Sequence, residues 1–75
     1  MGWKVYVLKS LKSDVRYVGM SEDLARRLEE HNAGKSKFTS GFIPWELVYF
    51  EEANSRQEAR AREKYLKSAA GRRFL

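Results

Sequence analysis

The 75-residue chain contains no cysteine, which excludes disulfide scaffolds, cysteine-ligated zinc and iron–sulfur clusters. It has one histidine, too few for a zinc site without cysteine, and no Ser/His/Asp set stands out for it to serve. There is no Gly-rich phosphate loop, and no second carboxylate is spaced for a two-metal site. No apolar run approaches the ~20 residues that cross a bilayer, and the first residues lack the apolar core of a signal peptide. These absences lead to the expectation of a cytoplasmic protein with no membrane partner and no small-molecule cofactor.

What is present suits one small domain over residues 1–75. Hydrophobic residues make up 43% and aromatics 13%. A chain of this size buries only about 60% of its unfolded surface, so each large apolar residue matters to the core. Lys and Arg number 15 against 10 Asp and Glu, a net charge of +5. A basic surface of this kind often meets a polyanion, nucleic acid above all; the alternative is a solvated basic surface with no such partner.

Residues 3–9 and 16–20 are dense in β-branched and aromatic side chains and read as two strands of a hairpin, with residues 10–14 as the turn. Ser21 is placed to cap a helix that runs through Leu24, Leu28 and His31, with Gly34 as its stop. Residues 34–44 have no period and read as a long loop. Residues 45–51 form a third strand. Asn54, with Gln57 three residues on, suits a capping box for a helix over 55–68, and residues 71–75 have room for a short further turn. The expected fold is α+β, a small three-stranded sheet flanked by helices in the order β-β-α-β-α.

Two residues stand out on helical wheels. In the first helix Leu24, Leu28 and His31 form the core stripe; Arg27 lies on its edge and Arg26 points away. In the second, Ala59 and Leu66 define the apolar face, continued by Ala70, and Glu63 falls between them. A carboxylate there is paired, metal-bound or facing a cleft; an ordinary ion pair with Arg27 or Lys67 is the plain alternative. Strand alternation puts Tyr6 with Lys4 and Leu8, and Tyr17 with Gly19. A glycine inside a strand allows close approach by a ligand or another backbone, whereas both tyrosines also suit core packing with the hydroxyl at the rim. His31 likewise suits a hydrogen-bonded, half-buried place in the core.

Lys4-Val5-Tyr6 and Tyr17-Val18-Gly19, with ten residues between the tyrosines, form an ordered set with the helix segment Asp23 to His31. Pro44 to Tyr49 and Glu58 to Lys67 extend it over nearly the whole chain. This set resembles the GIY-YIG nuclease superfamily, in its small single-domain bacterial branch. The resemblance implies a small sheet with flanking helices and cleavage of DNA phosphodiester bonds with one divalent ion, Mg²⁺ or Mn²⁺. It places the metal ligand on Glu63 and the catalytic arginine on Arg27, the residues the wheels single out. Tyr6 or Tyr17 would position or deprotonate water, assisted by His31. The chain departs from the family in Lys4 for glycine and in valine for isoleucine in both triplets. Met20 stands where DNA-repair members carry lysine, and no asparagine follows Asn54.

Lys35, Lys37, Arg60, Arg62, Lys64, Lys67, Arg72 and Arg73 are candidates for a phosphate track beside Gly19, and Phe38 and Phe42 either stack on unpaired bases or tuck under the loop. With no base-reading helix in evidence, recognition by DNA structure is expected over sequence. The rival reading is a nucleic-acid-binding module without turnover; a partner protein that supplies targeting is compatible with either.

Overall fold

The computed structural model describes residues 2–68 and 71. β1 (Trp3–Ser10), β2 (Arg16–Ser21) and β3 (Trp45–Ala53) form one antiparallel sheet in the order β2-β1-β3, with α1 (Leu24–Asn32) between β2 and β3 and α2 (Arg56–Lys67) after β3. The architecture is the expected α+β, β-β-α-β-α arrangement. Of the C-terminal turn expected over 71–75 only Gly71 is described, and Ala70, Arg72 and Arg73 lie outside the described residues.

Alternation along β1 divides the core in two. Val5 and Val7 face one side, where Val18, Ala53 and the α2 residues Ala59 and Leu66 cover them. Tyr6 and Leu8 face the other, against Trp45, Leu24 and Leu28. The central strand is therefore buried on both sides, with Val5, Val7 and Leu8 fully inaccessible. Each such side chain stabilises the fold by roughly 1.5–3 kcal/mol.

The helix caps fall elsewhere than the sequence suggested. Asp23, not Ser21, caps α1, accepting from the Arg26 amide at 3.1 Å; the Ser21 hydroxyl accepts from the Asp23 amide at 3.0 Å. Ser55, not Asn54, caps α2 through the Glu58 amide at 3.1 Å. The back-reaching side chain is Glu58, not Gln57, and accepts from the Asn54 amide at 3.2 Å.

The segment between α1 and β3 is more ordered than a loop without period. A 3₁₀ turn spans Thr39–Phe42. Asn32 clamps Trp45 from both sides, accepting from its amide at 2.6 Å and donating to its carbonyl at 3.2 Å. The buried Ser10 hydroxyl donates to the Phe42 carbonyl at 2.7 Å while it accepts from the Lys12 and Ser13 amides.

Candidate active site

β1 and β2 place Tyr6 opposite Gly19. A methyl group on Gly19 would lie 2.6 Å from the Tyr6 hydroxyl oxygen and 2.7 Å from Tyr6 Cζ. The close approach that a strand glycine permits is thus made by the Tyr6 ring, and Gly19, expected to face nucleic acid, is buried beneath it.

The Tyr6 hydroxyl lies 3.2 Å from His31 Nε2, and His31 Nδ1 lies 2.9 Å from Thr39 Oγ1. His31 and Thr39 are fully inaccessible, and Tyr6 is 1% exposed. Tyr17 sits at the outer strand, half-buried, its ring centroid 4.8 Å from that of His31 and 6.4 Å from that of Tyr6. Burial pushes the Tyr6 phenol above its ordinary range, and the neighbouring Arg27 guanidinium opposes the rise without cancelling it. Burial, then the charge of Arg27, pushes His31 below its ordinary value, so that it is neutral at pH 7.

Helical phase sets Arg26 and Arg27 apart. Arg26 is exposed, with Asp23 and Glu30 each at 3.9 Å. Arg27 leans over the sheet and donates to Glu30 at 2.6 Å, with its charge acting on the Tyr6 phenol and on His31. The bond to Glu30 holds that carboxyl below the usual carboxylate range. The Arg27 side chain remains 34% exposed, so the guanidinium is anchored on one side and open on the other.

Glu63 occupies the opposite face of the sheet, around the β2 edge from the tyrosines. It lines a shallow groove with Trp3, Met20, Arg56, Gln57 and Arg60. No hydrogen bond joins it to either tyrosine, but its charge adds to the rise of the Tyr6 pKa. It pairs with Lys67 at 3.4 Å and Arg60 at 3.8 Å, and its side chain is 13% exposed. Among the described residues no group of three His, Cys, Asp or Glu could hold a metal ion. The donor set at this edge is one carboxylate, which fits one weakly held hard cation completed by phosphate oxygens and water.

The basic candidates divide. Lys35 and Lys37 are exposed in the segment after α1. Lys67 lines a second groove with Asp14, Arg16, Tyr17, Val18, Phe38 and Leu66. Arg62 is not part of this side. It lies toward β3, the opposite edge strand, where it is bidentate to Glu51 and stacks 4.8 Å over the Tyr65 ring. Phe42 packs against Trp45 with centroids 6.2 Å apart, whereas Phe38 is 59% exposed, 6.2 Å from the Tyr17 ring.

Three contributors have no part in the sequence reading: Thr39, Glu30 and Arg16. Glu30 was legible at i+3 from Arg27. Arg16 carries the same charge signal as the other bases. Thr39 stands in a segment without period and has no local signature.

Residues 2–74 match the GIY-YIG catalytic domain. The chain belongs to the GIY-YIG family. A UPF0213 protein of Clostridium perfringens is 42% identical over 64 residues, covering 84% of this chain and 68% of that protein. A UPF0213 protein of Natronomonas pharaonis is 42% identical over 65 residues, covering 85% of this chain and 75% of its own. The solution NMR structure of a UPF0213 protein from Bacillus halodurans matches with a TM-score of 0.58 at 32% identity, over all of this chain and 82% of that one. The GIY-YIG domain is a nuclease fold, and no helix among the described residues is long and apolar enough to cross a membrane.

Proposed function

We propose that this GIY-YIG domain is a divalent-metal-dependent endonuclease that hydrolyses DNA phosphodiester bonds, directed by DNA structure more than by sequence. The observation that carries the reading is the placement of Arg27: braced by Glu30 at 2.6 Å, 34% exposed, and near enough to Tyr6 and His31 for its charge to act on both. A braced guanidinium holds a phosphate bidentately and meets the charge that develops on it without reorganising.

Exposure separates the tyrosines. Tyr6 is sealed and its phenol is harder to ionise than normal, which suits a structural role paired with His31. Tyr17, at the outer strand, is the one placed to orient water. His31, neutral and inaccessible, assists through the Tyr6 hydroxyl. Glu63 would hold one Mg²⁺ or Mn²⁺, which would supply charge neutralisation at a phosphate oxygen. Arg16, Lys67, Lys35 and Lys37 offer phosphate contacts around the β2 edge, and the exposed Phe38 ring favours contact with unpaired bases.

Glu63→Gln tests this reading. Cleavage of a panel of single-stranded, nicked, flapped and branched DNA with Mg²⁺ or Mn²⁺ should be lost while the fold persists. DNA binding should persist or tighten, because a negative charge leaves the phosphate site. Glu63 pairs with cations that are 54% and 65% exposed, so the stability change should stay within about 1 kcal/mol. A parent with no metal-dependent cleavage on any substrate, together with a Tm lowered by several degrees in the variant, would favour the binding module.

A further inference from the structure

The groove beside β2 joins two chemistries. On one side stand the rings of Phe38 and Tyr17, centroids 6.2 Å apart and inclined at 35°. On the other stand Leu66 and Lys67 from α2, with Arg16 at the strand between them. Consecutive strand residues point to opposite faces: Tyr17 packs on the Tyr6 side of the sheet and Val18 on the Ala59 side. The groove therefore passes around the sheet edge.

Phe38 has no role in the fold that accounts for its position. A phenyl ring 59% exposed forgoes much of the stabilisation its burial would give. Yet the ring is held. Tyr17 and Phe42 lie beside it, the latter at 5.8 Å, and its chain neighbour Thr39 is fully inaccessible and bonded to the His31 ring. The charges around it are unequal. Arg16 is exposed and makes no ion pair among the described residues. Lys67 shares Glu63 with Arg60. The carboxylate that lines the groove, Asp14, is 98% exposed and lies 3.9 Å from Lys9.

We propose that this groove is a subsite for one unpaired nucleotide of DNA, its base on Phe38 and its flanking phosphates on Arg16 and Lys67. The inference rests on the nuclease reading for the choice of DNA as ligand. A base inside a duplex is covered on both faces by its neighbours and has none to offer the ring, whereas an unpaired base does. Tyr17 belongs both to the groove and to the cluster around His31, 4.8 Å between ring centroids, so the unpaired nucleotide lies next to the phosphate to be cut. The substrate class that follows is a flap, loop or single strand, in preference to nicked or continuous duplex.

Fluorescence anisotropy in EDTA, where metal-dependent cleavage does not intervene, reads the subsite. The probes are a labelled duplex with a one-nucleotide thymidine flap and the same duplex with an abasic flap. Loss of the base should weaken binding to the wild type by about 5- to 100-fold, the range of one base–aromatic stack, and to Phe38→Ala by less than about twofold. Phe38→Tyr keeps the ring and should behave as the wild type. Arg16→Ala should weaken binding of both probes and reduce the salt slope by about one. Circular dichroism should show Phe38→Ala folded, since the side chain it truncates is more than half exposed. No effect of base removal on the wild type, which needs no variant to observe, overturns the proposal. So do equal effects in the wild type and Phe38→Ala. Sedimentation of the wild type as a dimer that Phe38→Ala dissociates would assign the ring to an interface between copies and overturn it as well. If the wild type discriminates between the probes but cuts no DNA with Mg²⁺ or Mn²⁺, the nuclease reading fails and the subsite stands.

Discussion

Gly19→Ala isolates the contact between Tyr6 and β2. The new methyl would stand 2.6 and 2.7 Å from Tyr6 Oη and Cζ and 3.0 Å from Tyr17 Cε2, separations that side chains do not tolerate. The Tyr6 ring is 1% exposed and cannot swing outward into open space. Overpacking of this kind costs about 1–3 kcal/mol, offset by roughly 0.5–1 kcal/mol because alanine has less backbone entropy to lose. A net loss near 1–2 kcal/mol lowers the Tm by about 4–8 °C for each kcal/mol in a domain of this size, measured by circular dichroism on heating. Tyr6→Phe removes the 2.6 Å contact but leaves Cζ at 2.7 Å, so Gly19→Ala should remain destabilising in that background. Tyr6→Leu removes the ring and leaves only the 3.0 Å contact with Tyr17 Cε2, so there the added cost of the alanine should shrink, a coupling that a double-mutant cycle reads directly. Equal costs of Gly19→Ala in the wild type and in the Tyr6→Leu background would refute the reasoning.

Stability should fall as the pH drops below about 6.5, the ordinary histidine value. The His31 pKa is depressed by burial, so the unfolded chain takes up a proton there that the fold excludes. Urea midpoints at pH 7.5 and 5.5 should show the loss, and His31→Gln should flatten it. Glu30 and Glu51, held low by Arg27 and Arg62, add their dependence only in the range below about 4.3. Leu66→Ala should cost about 2–5 kcal/mol, since Leu66 is 1% exposed in the α2 core. Arg62→Ala should lower the Tm more than DNA affinity, whereas Lys67→Ala should weaken binding and make the salt dependence shallower. Fluorescence anisotropy titrations between low and moderate salt separate the two.

Helical and strand periods made much of this arrangement legible. The phase of α1 sets His31 and Arg27 on the sheet side and Arg26 outside, because 100° per residue is a property of the backbone alone. The caps fall one or two residues from where the sequence suggests because Ser21 and Asp23, and Asn54 and Ser55, all carry side chains able to cap. Which one does so depends on the angle at which the strand before it delivers the chain. The segment from 33 to 44 was opaque for a different reason. Its order comes from bonds to distant partners, from Thr39 to His31, from Asn32 to Trp45 and from Ser10 to Phe42. None of these has a period or a short spacing to betray it.

Arg62 and Glu63 show where a one-dimensional pattern stops. Both lie near the sheet-facing side of α2, 100° apart on the wheel, and both looked suited to a phosphate or metal site. What separates them is the strand order β2-β1-β3. With β1 in the centre, α2 crosses the sheet with one flank toward β2 and the other toward β3. Glu63, Arg60 and Lys67 take the β2 flank, beside the edge strand that carries Tyr17. Arg62 takes the β3 flank, where Glu51 neutralises it and the Tyr49 hydroxyl donates to the same carboxylate. A charge at one flank of a helix can serve chemistry at only one sheet edge. The candidate site therefore draws a single carboxylate from α2, and the arginine next to it in sequence ties β3 to α2.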